Sequence, residues 1–382
     1  MKKNMKNEMP VEDIPQKQKK QKKGSGLLGR IIRRFFLLLF TAIILVVAAL
    51  VLVMNMIFNG PSPAAREVLT MSLIEASATK WVPALFIGEE MVAEIQTSVS
   101  APLQEEVSNT TSVVIQKGAA LTSSTDEWKD HPDGIRIEHV PGDTYNAHIM
   151  IIRDPSQVYM ATSTEKFSTA IPGKRINQAI EDEGAVAAIN AGAFFDDGTA
   201  NSSVGSYPLG LVMSNGKCVW TSGKQPGLEG FAGFNEDNIL VVSKTNLNQS
   251  QAEEMKIRDG CCFGPVLLMN SEVNMEAYNN NSGWNPRTAI GQRADGAVIF
   301  VCIDGRQVGS PGGTYADIIN IMVEYGAVNA CNMDGGSSSV MMYRDVHGKL
   351  GDAGEVHMIN NYSLLQSEPR RMPNFWMVRP AQ

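Results

Sequence analysis

The chain has 382 residues, 43% of them hydrophobic and 19% charged, with a formal net charge of -7. That is a globular composition with enough apolar material for a sizeable core. The charge is uneven: residues 1–34 hold 11 Lys+Arg against 3 Asp+Glu, and the rest holds 22 against 37. An acidic body behind a basic start excludes nucleic-acid binding as the task of the main domain.

Residues 1–34 read as a basic, disordered cytoplasmic segment. Phe35 to Phe58 follows without a single charge. At about 1.5 Å per residue it reaches roughly 36 Å, enough for a ~30 Å hydrocarbon core. Lys and Arg crowd its N-terminal side, so the positive-inside rule places everything after Phe58 outside the cytoplasm. The expected protein is a single-pass membrane protein held to lipid by one helix. A cleaved signal peptide is the alternative, disfavoured because the apolar run exceeds the usual h-region.

Residues 59–133 read as a stalk and linker. Apolar residues from Val68 to Met91 recur at helical spacing, interrupted at Pro83, and residues 97–126 have a Ser/Thr-rich linker composition. The domain proper is expected over residues 134–382, with strands at Ala147 to Arg153 and Val158 to Thr162. A helix at Arg175 to Glu183 stops at Gly184, and a strand at Val186 to Asn190 follows. Ser214-Asn215-Gly216-Lys217 predicts a tight hairpin. Further strands are expected at Ile239 to Ser243, Val266 to Met269, Ala297 to Ile303 and Val328 to Asn332. The fold class is therefore α+β, with a mixed β-sheet domain behind the helix and stalk.

One unit can be placed more firmly. The apolar strand ending at Asp304, a helix capped by Thr314 with Asp317 three residues on, and a second strand ending at Asp334 form a strand–helix–strand crossover. Its two strands should run parallel and bring Asp304 and Asp334 to one sheet edge, where ligands bind. The sequence around Gly184 to Asn190 echoes Gly326 to Asn332, by duplication or by shared geometry.

Several residues at that edge suit chemistry on a glycosyl or phosphodiester substrate. Asp334-Gly335-Gly336-Ser337-Ser338 offers a carboxylate, close backbone approach and anion-binding amides. Asp304 and Arg306 pair a carboxylate with a guanidinium, Arg287 opens another strand-like run, and Asn190 ends a buried one. Asp196 and Asp197 read as a solvated turn. The five histidines form no HxH or HExxH, and no GxSxG, Walker or dinucleotide fingerprint is present. No cofactor is expected, although Asp304 and Asp334 leave a divalent cation open. The five cysteines show no zinc spacing and read as mostly reduced and structural.

The blocks AINAGAFF, PLGLVMSNGK, NPRTAIG, VCIDGRQ, GGTYADIINIMVEYGAVNACNMDGGSSSVM and RRMPNF, in that order, resemble the phosphodiester glycosidase family. That family includes the lysosomal uncovering enzyme and bacterial exopolysaccharide-biosynthesis-type proteins. The resemblance spans residues 134 to 380 and implies hydrolysis of the bond between an anomeric carbon and a phosphodiester oxygen. It implies Asp334 and Asp304 as catalytic carboxylates. It implies Asn190, Arg287, Arg306, Thr314, Gly335, Gly336, Ser337, Ser338 and Arg371 as substrate and phosphate ligands. The chain departs from the family pattern at Ala191 and Ser337, where glycines are usual. A cell-envelope glycan or glycoconjugate is the expected substrate; a non-catalytic phosphoglycan-binding module is the alternative.

Overall fold

The computed structural model describes residues 27–74, 79–99, 107–115, 126–195, 204–222, 229–280, 282–362 and 368–381. The chain divides into two compact units, residues 1–54 and 55–382. In chain order the helices are α1 (Leu27–Phe58), α2 (Pro63–Ile74), α3 (Val82–Val99), α4 (Ile176–Glu183), α5 (Gln249–Glu254), α6 (Met275–Tyr278) and α7 (Tyr315–Glu324). The first strands are β1 (Ile135–Pro141), β2 (Asn146–Ile152), β3 (Val158–Thr162), β4 (Ala187–Asn190), β5 (Leu211–Ser214) and β6 (Lys217–Thr221). Next come β7 (Phe231–Asn235), β8 (Leu240–Ser243), β9 (Ile257–Cys262), β10 (Val266–Met269), β11 (Glu272–Val273) and β12 (Arg287–Arg293). The last are β13 (Val298–Ile303), β14 (Ala327–Met333), β15 (Met341–Arg344), β16 (Val356–Met358) and β17 (Asn374–Val378).

Helix α1 begins at Leu27, eight residues before the uncharged run, so the expectation of disorder through Arg34 is corrected there; residues 1–26 lie outside the described residues. By length and composition the stretch Arg30–Phe58 is sufficient to cross a bilayer; its side chains are exposed from Arg30 to Val53, and Phe58 at its end is buried. Pro83 does not interrupt a helix, as its place in the sequence suggested. It sits in the first turn of α3, where a missing N–H costs nothing. The helical path is broken instead at Gly88, at φ +78. The Ser72 hydroxyl of α2 accepts the Trp284 N–H at 2.9 Å, so the helical arm is docked on the domain. Part of the Ser/Thr-rich stretch is docked too: Ser108 exchanges hydrogen bonds with Val242, and Val113 is buried beside Ile239 and Val328.

Three sheets build the domain. The largest has the order β1-β2-β13-β12-β14-β10-β11, the second β16-β15-β4-β17-β3, and the third β6-β5-β9-β7-β8. Met150 and Phe300 from the first sheet, Ile189 and Trp376 from the second, and Val212 and Phe234 from the third meet in one core. Phe234 and Trp376 pack edge to face, with ring centroids 5.7 Å apart. On the far side of the first sheet, Ile318 and Met322 of α7 cover Ile149, Val301 and Ile303. Burial on both faces explains why β13 reads as an unbroken apolar run rather than an alternating one.

The crossover runs as the sequence implied. Strands β13 and β14 each pair antiparallel with β12, so they are parallel to one another with β12 between them. The hairpin turns at Asn215 (φ 50) and Gly216 (φ 72), closing Ser214 against Lys217. Gly184 caps α4 in the left-handed region, and its N–H reaches Ile180 O and Glu181 O. The echo between Gly184 and Gly326 is local geometry in two sheets: each ends a helix at positive φ and starts a central strand.

Candidate active site

The C-terminal ends of β13 and β14 and the start of β12 share one edge of the largest sheet, because Arg287 pairs with Ile303 and Thr288 with Met333. Asp304, Asp334 and Arg287 therefore converge as their positions predicted. What each side chain does there differs.

Asp334 is half-buried. Its Oδ1 accepts the N–H of Gly335 at 3.0 Å, and its backbone is anchored on both sides. The amide N–H goes to Ala191 O at 3.0 Å, and the carbonyl accepts from Asn190 Nδ2 at 2.6 Å. Asn190 has no exposed surface and spends its carboxamide on this task. Its Oδ1 accepts from Thr288 Oγ1 at 2.9 Å and Val340 N at 3.1 Å. Asn190 thus joins β4, β12 and the entry to β15 beneath the Asp334 loop. The sequence reading makes it a sugar ligand; in the structure its carboxamide is committed to these backbone and side-chain partners.

The loop itself is a tight turn, Gly336–Ser338. Gly336 N–H donates to Pro286 O at 2.9 Å, Ser338 N–H to Gly335 O and Ser339 N–H to Gly336 O. The amides expected to cradle an anion are therefore largely committed inside the loop and to Pro286, a correction to the sequence reading. The glycines are required by proximity: a Cβ on Gly335 would lie 2.9 Å from Pro286 O. Gly336, at φ +61, has the Arg306 guanidinium 3.0 Å from where its Cβ would be.

Two guanidiniums flank this turn. Arg306 is exposed, sits at φ 58, and donates from Nη2 to Asn285 Oδ1 at 3.2 Å. Arg370 donates from Nη1 to Ser337 Oγ at 3.3 Å, with its guanidinium carbon 4.8 Å from the centre of the Phe194 ring. Tyr362 closes the far side, donating its hydroxyl to Ser337 O at 2.5 Å. Burial raises the Tyr362 phenol above its ordinary value, which keeps it a neutral donor.

The remaining expected ligands are placed as follows. Asp304 is 1% exposed and holds three groups. These are Asn361 N–H at 2.9 Å, Asn361 Nδ2 at 2.7 Å and His148 Nε2 at 3.2 Å. These contacts tie the Asp304 carboxylate to the segment that carries Tyr362. Arg287 is 2% exposed; it lies 4.3 Å from the centre of the Tyr315 ring and donates to the carbonyls of Ser282, Gly283 and Gly313. These contacts hold the 282–283 and 313 loops together. Thr314 is the N-cap of α7, its Oγ1 accepting from Asp317 N and meeting Asp317 Oδ2 at 2.7 Å. Arg371 turns away and donates to Gly173 O at 3.1 Å. Its neighbour Arg370 reaches the Gly-Ser turn in its place. Ser338 is buried within the turn, and Asp196 and Asp197 lie outside the described residues.

Among the described residues no three His, Cys, Asp or Glu side chains form a group that could hold a metal ion. The five histidines nevertheless line one cleft, between the first sheet at β1 and β2 and the second at β15 and β16. All five cysteines are free thiols. Burial pushes Cys262 up to about 11, which keeps it protonated and inert.

The sequence model of the phosphodiester glycosidase family matches residues 183–379, the stretch from the end of α4 to the end of β17. An uncharacterized protein of SPbeta prophage origin from Bacillus subtilis strain 168 is 25% identical over 191 residues. That match covers 49% of this chain and 27% of the relative, so the chain spans about a quarter of the curated relative's length. The catalytic domain of zebrafish N-acetylglucosamine-1-phosphodiester alpha-N-acetylglucosaminidase, auto-inhibited by its pro-peptide, is 20% identical with a TM-score of 0.48. The likeness covers 65% of this chain and 82% of that one. An exported protein of Burkholderia pseudomallei is 16% identical with a TM-score of 0.43, over 63% of this chain and 75% of its own. The family match takes in just over half of the chain, including Asn190, Asp334 and both flanking arginines, and this protein belongs to the phosphodiester glycosidase family.

Proposed function

We propose that the protein is a membrane-anchored, extracytoplasmic hydrolase that cleaves the glycosidic bond of sugar-1-phosphodiesters in cell-envelope glycans or glycoconjugates. The observation that carries this reading is the half-buried Asp334 carboxylate beside a turn flanked by Arg306 and Arg370. The two guanidiniums and Ser337 would hold the phosphodiester anion through charge-assisted hydrogen bonds. As the anomeric C–O bond breaks, its electron pair passes to the phosphate oxygen, where the same cations stabilise it. Water supplies the new oxygen at the anomeric carbon. Asp334 stabilises the oxocarbenium-like state, as nucleophile or as the base that takes the proton from water. The products are a free sugar and a phosphate monoester. The anchor and orientation rest on the length of α1 and on the basic residues before it.

The test uses the full chain in detergent micelles and a panel of glycosyl-1-phosphodiesters, following release of reducing sugar. Release is expected from the wild type. Asp334→Asn should lower it roughly 10²–10⁴-fold without a change in thermal midpoint. A folded protein that releases sugar from no diester yet retains envelope polymer would replace the hydrolase with a phosphoglycan-binding module.

A further inference from the structure

Beside the proposed site lies a row of aromatic rings that the hydrolytic step does not use. Phe195 stacks on Tyr207 with centroids 5.0 Å apart and planes 9° from parallel. Tyr207 meets Trp220 at 5.6 Å, and Trp220 meets Phe167 edge-on at 5.5 Å. The four rings come from four separate segments, and none is fully buried; Phe195 is 39% exposed. Trp220 lies on β6, an edge strand of the third sheet, and among the described residues no further strand pairs with that edge.

The row joins the site directly. Phe194 is packed into the core and carries the Arg370 guanidinium, while its neighbour Phe195 faces outward. The two loops are zipped together by Phe195 N–H to Tyr207 O at 3.0 Å and Leu209 N–H to Ala193 O at 2.9 Å. The outward ring is thus held one residue away from the phosphate-facing arginine.

We propose that this row is a stacking ledge for the sugar rings that continue from the cleaved linkage, and that the enzyme acts on oligomeric or polymeric glycans in preference to single glycosyl phosphodiesters. Large rings held half open in water at a site's margin are a recognition surface. A pyranose presents a flat face of C–H groups, which suits the negative face of an aromatic ring. Rings already fixed by mutual contact lose little freedom on binding. The inference rests on the reading of Asp334 as the centre of a glycosidase.

The experiment separates the two. The probes are gluco- and N-acetylglucosamino-oligosaccharides of one to six units, α- and β-linked, free and as reducing-end methyl phosphodiesters. Binding is measured on the full-length Asp334→Asn protein and kcat/KM on the wild type. Both should improve by roughly tenfold or more from one unit to four in at least one series, about the value of one to two stacked rings. Phe195→Ala and Trp220→Ala should reduce that ratio to near one, while Phe195→Tyr and Trp220→Phe, which keep a flat ring, retain it. The ledge is refuted if no series gains with length, if the gain survives both alanine variants, or if alkyl-chain aglycones gain in place of sugars. Length-dependent binding without hydrolysis of any diester would retain the ledge and remove the glycosidase. Hydrolysis without length dependence would do the reverse.

Discussion

Asp304 and Asp334 look equivalent along the chain, each ending a parallel strand at the same sheet edge, and one pair of substitutions separates their roles. Asp304→Ala removes the acceptor of three donors: the N–H and the side-chain amide of Asn361, an exposed residue, and the ring nitrogen of buried His148. Each buried polar group left without a partner costs about 1–3 kcal/mol. Water can satisfy the two Asn361 donors, so the loss is roughly 2–3 kcal/mol, most of it from the His148 contact. For a domain of this size that corresponds to a fall of about 4–12 °C in thermal midpoint. Asp334→Ala removes one acceptor for an adjacent N–H at a half-open position, and the midpoint should move by no more than about 2 °C. Thermal unfolding of both variants, alongside turnover of a glycosyl phosphodiester, reads the two effects separately. An Asp304→Ala protein as stable as wild type but without turnover would refute the reasoning and return Asp304 to the chemistry.

Other outcomes follow from the same geometry. Arg370→Ala should raise KM for a phosphodiester about 10–100-fold, the worth of one charge-assisted contact; Arg371→Ala should instead lower thermal stability by about 1 kcal/mol through loss of the Gly173 contact. Steady-state kinetics and unfolding on the two variants would show an exchanged pattern if Arg371 were the ligand. Gly336→Ala must adopt φ near +61 and place a methyl group about 3.0 Å from the Arg306 guanidinium. It should cost about 1–2 kcal/mol and cut turnover more than tenfold; an unaffected enzyme would mean the turn is free to rearrange. The hydrogen bond from Arg293 holds Glu127 below the usual glutamate value of 4.5. A depressed carboxylate contributes stability that is present above its unfolded pKa and lost as pH falls through the folded one. Below pH 4.5 the wild type should therefore lose thermal midpoint faster than Glu127→Gln, and parallel curves would exclude this pair as a source of acid sensitivity.

The elements legible in the sequence are those set by local chemistry. The Asn215-Gly216 turn, the Gly184 cap, the Thr314 cap and the doubly buried run of β13 each depend on residues within a few positions of one another, and each forms as read. The convergence of Asp304, Asp334 and Arg287 was legible too, because a crossover of short links leaves few arrangements. What was not legible is how the side chains at that edge are occupied. His148 is 156 residues from Asp304 and Asn361 is 57 residues away, and nothing local announces either contact. The same holds for Arg287, whose acceptors include Gly313.

The exchange of Arg371 for Arg370 has a simpler cause. Adjacent residues in an extended segment point to opposite sides, so a motif that locates an arginine pair does not say which member faces the turn. Arg371 is drawn to the Gly173 carbonyl on one side, leaving Arg370 for Phe194 and Ser337 on the other. The outcome leaves Asp334 as the carboxylate at the turn and turns Asp304 into a support. In the proposed reaction, a carboxylate on a turn flanked by two cations suits a leaving group that is already an anion. On the proposed hydrolysis a phosphodiester oxygen would depart without protonation, so the acid that most glycosidases take from a second carboxylate would not be required.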